Sequence, residues 1–142
     1  MTSQLNVDTI VDKAGSGGTN VKVANTSTYV SDVGNVTQNT VQGIAKCWFQ
    51  IVQDSTHSIN DSFNVGSLHD GGAGETTVNF SNVMTNDDWS GVLTAQNSNN
   101  RRAVSNAPST TRIKVEVYQV SANSTPADAT SGVSGTVHGD LA

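Results

Sequence analysis

The sequence predicts an all-β chain, a short extended N-terminal arm followed by an antiparallel β-sandwich of jelly-roll-like type, on three observations. Val occupies 19 of 142 positions, Ser, Thr, Asn and Gly together fill 62, and apolar and polar residues alternate in short runs separated by turn residues. Val and Thr suit a pleated, half-buried surface and Asn, Gly and Ser supply turns, whereas the helix formers Leu, Glu and Lys are scarce.

Taken in order, Leu5-Asn6-Val7-Asp8-Thr9-Ile10-Val11 alternates like a strand and stops at the glycine-rich turn Asp12-Lys13-Ala14-Gly15-Ser16-Gly17-Gly18. Residues 19–23 and 29–40 keep the Val-polar alternation with few large apolar groups. Residues 1–42 are therefore expected to be an extended arm that packs on a partner. The globular domain is expected over residues 43–142, opening with Ile44-Ala45-Lys46-Cys47-Trp48-Phe49-Gln50-Ile51-Val52, the most apolar stretch. Two strands, 58–65 and 75–80, are expected to form a hairpin around a glycine-rich turn over 70–74. Strands over 89–95, 101–105, 111–120 and 133–141 follow. In the longest of them Ile113, Val115 and Val117 share one face, and Arg112, Lys114 and Glu116 the other. Turn signals between short strands indicate a sandwich.

Composition narrows the function. The net charge of −5 and the few lysines argue against a phosphate-backbone partner, so nucleic acid is not expected. No run approaches the roughly 18–20 apolar residues of a membrane span, and no charged segment precedes an apolar one as in a signal peptide, so neither membrane insertion nor ordinary secretion is expected. Cys47, the single cysteine, forms no intrachain disulfide and completes no metal cluster. Oligomerisation is expected in place of such staples.

No motif carries catalysis. His57, His69 and His138 lack ligand spacing, and the acidic groups near His69-Asp70 and Asn86-Asp87-Asp88 do not follow the twelve-residue calcium loop. The glycine clusters lack the Lys-Ser/Thr of a phosphate loop, and no Gly-x-Ser-x-Gly elbow occurs. Cys47 reads as a buried structural thiol. Five Asn-x-Ser/Thr triplets, at Asn25, Asn35, Asn60, Asn79 and Asn123, are what so Asn/Ser/Thr-rich a chain generates by chance. Arg101-Arg102 is the one compact positive spot, a solvated loop or a contact for an anionic neighbour. The expectation is a protein that is not an enzyme, with no catalytic, cofactor or metal residues.

The opening run at Leu5 with the following Ala14-Gly15 resembles the N-terminal signature of appendage proteins of tailed phages, those of marine bacteria and cyanophages above all. Lys46-Cys47-Trp48-Phe49, the stretch Ile59-Asn60-Asp61-Ser62-Phe63-Asn64-Val65-Gly66-Ser67-Leu68-His69-Asp70, then Gly74-Glu75-Thr76-Thr77-Val78-Asn79-Phe80, and Gly139-Asp140 resemble a terminal domain of such fibres. The resemblance implies a β-rich, usually trimeric virion appendage and brings no catalytic residue with it. An arm of about 40 residues spans roughly 140 Å at most, so no reach-extending shaft is expected.

The expected role is a short tail-fibre-like structural protein of a bacteriophage virion, the alternative being a capsid decoration or head-fibre protein. A depolymerase would need a positioned carboxylate pair, which the spacing of Asp61, Asp70, Asp87 and Asp88 does not provide. Leu5, Val7, Ile10 and Val11 are the expected docking arm, adding a strand to a partner sheet. His69, Asp70, Asn99, Arg101 and Arg102 are expected in exposed recognition loops. Expected partners are further copies in a homotrimer, other virion proteins, and a host receptor or glycan. Ile44, Trp48, Ile51, Phe63, Phe80 and Val115 are the apolar groups expected to be shared between a subunit core and its neighbours.

Overall fold

The computed structural model describes residues 28–30, 37–96, 100–120 and 125–141. The strands expected over 5–11 and 19–23 and the turn between them lie outside the described residues. The chain divides into two compact units, Met1–Val41 and Gln42–Ala142. In the first, β1 (Thr28–Val30) and β2 (Thr37–Asn39) pair antiparallel. A single helical turn, α1 (Thr40–Gly43), follows. Among the described residues no helix is long and apolar enough to cross a membrane.

Alternating side chains build the second unit. β3 (Cys47–Val52) turns Cys47, Phe49 and Ile51 inward, and β6 (Glu75–Phe80) does the same with Thr76, Val78 and Phe80. β9 (Arg112–Gln119) buries Ile113, Val115 and Val117 completely, on the face its alternation marks. With β4 (Ser58–Phe63), β5 (Val65–Gly72), β7 (Ser90–Ala95), β8 (Arg101–Ser109), β10 (Thr125–Pro126) and β11 (Val133–His138), these strands form two antiparallel sheets. The first runs β4-β3-β11-β7 and the second β5-β6-β9-β8, with β10 beside the end of β9. The inner faces enclose one apolar cluster, to which Val133 and Val137 of β11 and the connection residues Met84 and Ala129 also belong. Each fully buried Val, Ile or Phe side chain contributes roughly 1.5–3 kcal/mol relative to exposure. At one edge of the cluster the Phe80 and Trp89 rings meet edge to face, centroids 6.2 Å apart, while the Trp89 indole donates to the Ser109 carbonyl at 3.0 Å. Three of the residues expected to be shared with neighbours, Ile51, Phe80 and Val115, therefore lie within the subunit's own core.

The run 58–65 is two strands, because Asn64 breaks it. Its φ of 61° lies in the left-handed region that Asn tolerates better than most residues, and the turn sends β4 into one sheet and β5 into the other. The side chain fixes that corner: Asn64 Nδ2 donates to the carbonyls of Lys46 and Asn82, each at 3.0 Å, and Oδ1 accepts from the Asn82 amide at 2.6 Å. The hairpin partner of β6 is therefore β5. The expected turn over 70–74 is also shorter, since β5 runs on to Gly72 and only Ala73-Gly74 connects the strands. Gly72 and Gly74 supply the positive φ values of 108° and 73°, and the Gly74 amide donates to the Asp128 carboxylate at 2.6 Å.

Candidate functional site

The outer face of the β4-β3-β11-β7 sheet collects residues distant in sequence. Antiparallel register places Phe63, Trp48, Thr136 and Val92 in one row across four strands, and Asp61, Gln50, Ser134 and Thr94 in the next. Trp48 is 38% exposed, Phe63 51% and Val92 65%, far more than the apolar residues of the inner face. Trp48 and Val92 flank Thr136, and between them lies an open groove of about 430 Å³. That volume falls within the range of small-molecule sites.

Hydrogen bonds hold the groove's polar end. Gln50 Nε2 donates to Gln96 Oε1 at 3.0 Å, and Gln96 Nε2 donates to Ser134 Oγ at 2.6 Å. The Gln96 backbone amide in turn donates to the Gly132 carbonyl at 2.8 Å. Both amides are thereby oriented, with Gln50 Oε1 left as acceptor and the Ser134 hydroxyl as donor. The Trp48 indole N–H and the hydroxyls of Thr94 and Thr136 have no hydrogen-bond partner among the described residues. Beneath the sheet, Gly135 lies directly over Phe49: a Cβ there would overlap the Phe49 ring and come within 2.6 Å of Leu93 Cδ2.

The opposite outer face, on β5-β6-β9-β8, is charged and bonded to itself. Lys114 Nζ bridges Glu75 at 2.8 Å and Glu116 at 3.2 Å. Glu116 also accepts from Tyr118 at 2.6 Å and from Asn106 at 3.0 Å. The Tyr118 hydroxyl first, then Asn106 and Lys114, hold the Glu116 carboxyl below its ordinary value of 4.5. Hydrogen bonding to Glu75 and then Glu116 raises Lys114, and the bond to Glu116 raises Tyr118. The Arg102 guanidinium lies 5.4 Å from the Tyr118 ring centroid. A second depression, about 480 Å³, is lined by His69, Glu75, Thr77, Asn79, Arg112 and Lys114.

A third arrangement is internal. Gln53 Nε2 donates to Thr76 Oγ1 at 2.9 Å, His57 Nδ1 lies 3.0 Å from that hydroxyl, and His57 Nε2 lies 3.6 Å from Asp70 Oδ1. Gln53 Oε1 accepts from the Ala129 amide at 3.0 Å. The order Thr, His, Asp is that of a hydrolase relay. Thr76 is fully buried and its oxygen already accepts from Gln53, so the hydroxyl cannot meet an outside substrate. The relay joins β6 to the connections beside it and spares buried polar groups an unpaired state.

Of the residues singled out from sequence, Leu5, Val7, Ile10, Val11 and Asn99 lie outside the described residues. His69 and Asp70 are exposed but belong to β5, and Arg101 and Arg102 to β8, so these four stand on strands rather than in loops. Successive strand residues face opposite ways, which separates the two arginines: Arg102 joins the charged outer face opposite Tyr118, while Arg101 pairs with Gln119 and has Nη1 enclosed without a partner among the described residues. Cys47 is buried, and burial pushes its thiol up to about 12. Among the described residues no group of three or more His, Cys, Asp and Glu is placed to hold a metal ion. Gln50, Thr94, Gln96, Ser134 and Thr136 were not legible as a group, although the alternation of Cys47, Phe49 and Ile51 already turns Trp48 and Gln50 outward. Comparison with protein-family models, with curated proteins and with solved structures finds no match.

Proposed function

We propose that this chain is a structural subunit of a bacteriophage virion, a short tail-fibre-like appendage that works by presenting a surface rather than by catalysis. In this reading residues 1–42 attach the chain to the particle and carry threefold association, and the sandwich from residue 43 onward is displayed. The motif order from Leu5 to Asp140 supports the family. The observation that carries the mode of action is the division of polar chemistry in the sandwich: the Thr76, His57 and Gln53 relay is committed to the interior, while aromatic, amide and hydroxyl groups stand accessible on one sheet face. A sandwich closed by its own strands holds such a face rigidly, which limits the ordering cost of binding.

The test uses particles assembled with the full chain or with a chain lacking residues 1–18. Mass spectrometry should find the full chain in purified particles and the truncated one, though folded, left out. Normal incorporation of the truncated chain contradicts the role given to the arm, and absence of the full chain from particles contradicts the virion reading. Copy number separates the tail-fibre reading, with few copies per particle, from a capsid decoration with many.

A further inference from the structure

We infer that the groove between Trp48 and Val92 is a binding site for uncharged carbohydrate. A pyranose ring presents a C–H face beside hydroxyls that both donate and accept. The complementary protein surface is an aromatic side chain next to neutral amides and hydroxyls. The groove has this composition: Trp48 at one wall, Val92 at the other, Thr136 between them, and Gln50, Ser134 and Thr94 in the adjoining row. Among the described residues its lining contains no charged one. Asp61, exposed and in register with Gln50, borders the site with negative charge and so disfavours sialylated, sulfated or phosphorylated ligands.

Preorganisation distinguishes this groove from an ordinary polar surface. Exposed glutamines generally lose rotamer entropy on binding, yet Gln50 is already tied to Gln96, Gln96 to the Ser134 hydroxyl, and the Gln96 backbone to Gly132. The groups with unused hydrogen-bonding capacity are Trp48 Nε1, Thr94 Oγ1, Thr136 Oγ1, the Ser134 hydroxyl hydrogen and Gln50 Oε1. Donors and acceptors both occur in this set, as a polyol requires. Phe63, the register neighbour of Trp48, is itself exposed and extends the aromatic side toward β4.

This inference needs only the sandwich face and not the virion placement, so the two fail separately. The full chain is applied to an array of neutral di- to tetrasaccharides of glucose, galactose, mannose and N-acetylhexosamines, with sialylated and sulfated counterparts. Binders are then titrated against the parent, Trp48→Ser and Gln50→Ala chains, with thermal unfolding as the folding control. The expected result is binding confined to neutral glycans. Trp48→Ser and Gln50→Ala should each weaken it on the order of tenfold or more while unfolding as the parent does. Thr94→Ala, which removes one hydroxyl and leaves the Gln50-Gln96-Ser134 chain intact, serves as a second probe if Trp48→Ser unfolds early. Binding of acidic glycans only, affinity unchanged in all three variants, no neutral glycan bound, or a concentration-dependent self-association that covers Trp48 would each overturn it.

Discussion

The two outer faces of the sandwich rest on the same core and differ in what they leave unsatisfied. On the β5-β6-β9-β8 face, Lys114, Glu75, Glu116, Tyr118 and Asn106 bond to one another, and Arg102 lies against the Tyr118 ring. On the β4-β3-β11-β7 face the hydrogen bonds run from Gln50 through Gln96 to Ser134, and stop at groups with capacity left over. A charged face whose groups are largely bonded to one another puts both signs of charge on the surface, an arrangement that favours solubility. What is unfavourable to leave in water on the second face is its apolar area at Trp48, Phe63 and Val92, since its exposed donors are satisfied by solvent, and clustered apolar exposure of this kind is typical of interaction surfaces. Charge alone would have pointed to the opposite face.

The largest effect is expected where both faces lose their common support. Gln53→Ala leaves the Ala129 amide without its buried partner, at about 1–3 kcal/mol for an unsatisfied buried group, and leaves the Thr76 hydroxyl with His57 alone. Chemical denaturation should show the loss, together with earlier exposure of Cys47 to thiol reagents. A drop under about 0.5 kcal/mol, the range of an ordinary surface change, would mean that the relay is not a support. Gly135→Ala should follow, since its new methyl group meets Phe49 and Leu93; overpacking of this kind costs typically about 1–3 kcal/mol. The measurement sharpens the comparison, because the damage should spread to Trp48 on the neighbouring strand and leave Lys114 and Glu116 paired.

Proton linkage acts on the charged face and on the core beneath both. Glu116 is held below its ordinary value, so the stability it contributes is present above pH 4.5 and is lost as pH falls through the depressed folded value. Cys47, Tyr118 and Lys114 are raised. Their contributions are full below the ordinary values of 9.0, 10.0 and 10.5 respectively and decline as pH rises past each. Cys47 alone should give a slope approaching about 1.4 kcal/mol per pH unit between pH 9.0 and about 12. Urea midpoints recorded against pH should therefore form a plateau with both shoulders, and a curve still rising above pH 10 would contradict the assignment. Smallest of all, Glu116→Gln should change stability in water by about 1 kcal/mol or less, in line with a surface network, and high salt should narrow the difference.

Much of the fold was readable from residues alone. The alternation in 112–119 predicts which side of β9 is buried, and the apolar run 47–52 predicts a core strand. The corner was not readable, because Phe63-Asn64-Val65 looks like continuous strand until Asn64 is seen to hold a positive φ and bind two carbonyls across the fold. The turn before β6 is shorter than its glycines suggest for a related reason: β5 is an edge strand and accommodates the glycines at 71 and 72. The groove was hidden by distance along the chain. Gln50 and Gln96 are 46 residues apart and Gln96 and Ser134 a further 38, and only the insertion of β11 between β3 and β7 brings them together. Arg101 and Arg102, adjacent in sequence and apart in space, are the converse case.

The measurement that bears most directly on the difference between the faces is an amide chemical-shift map of the full chain titrated with a neutral oligosaccharide selected from the array, repeated for Trp48→Ser and Lys114→Met. The account predicts shifts confined to β3, β7 and β11 around Trp48, Thr94, Ser134 and Thr136, abolished by Trp48→Ser and unchanged by Lys114→Met. Shifts centred on His69, Arg112 and Lys114, lost in Lys114→Met and kept in Trp48→Ser, would contradict it.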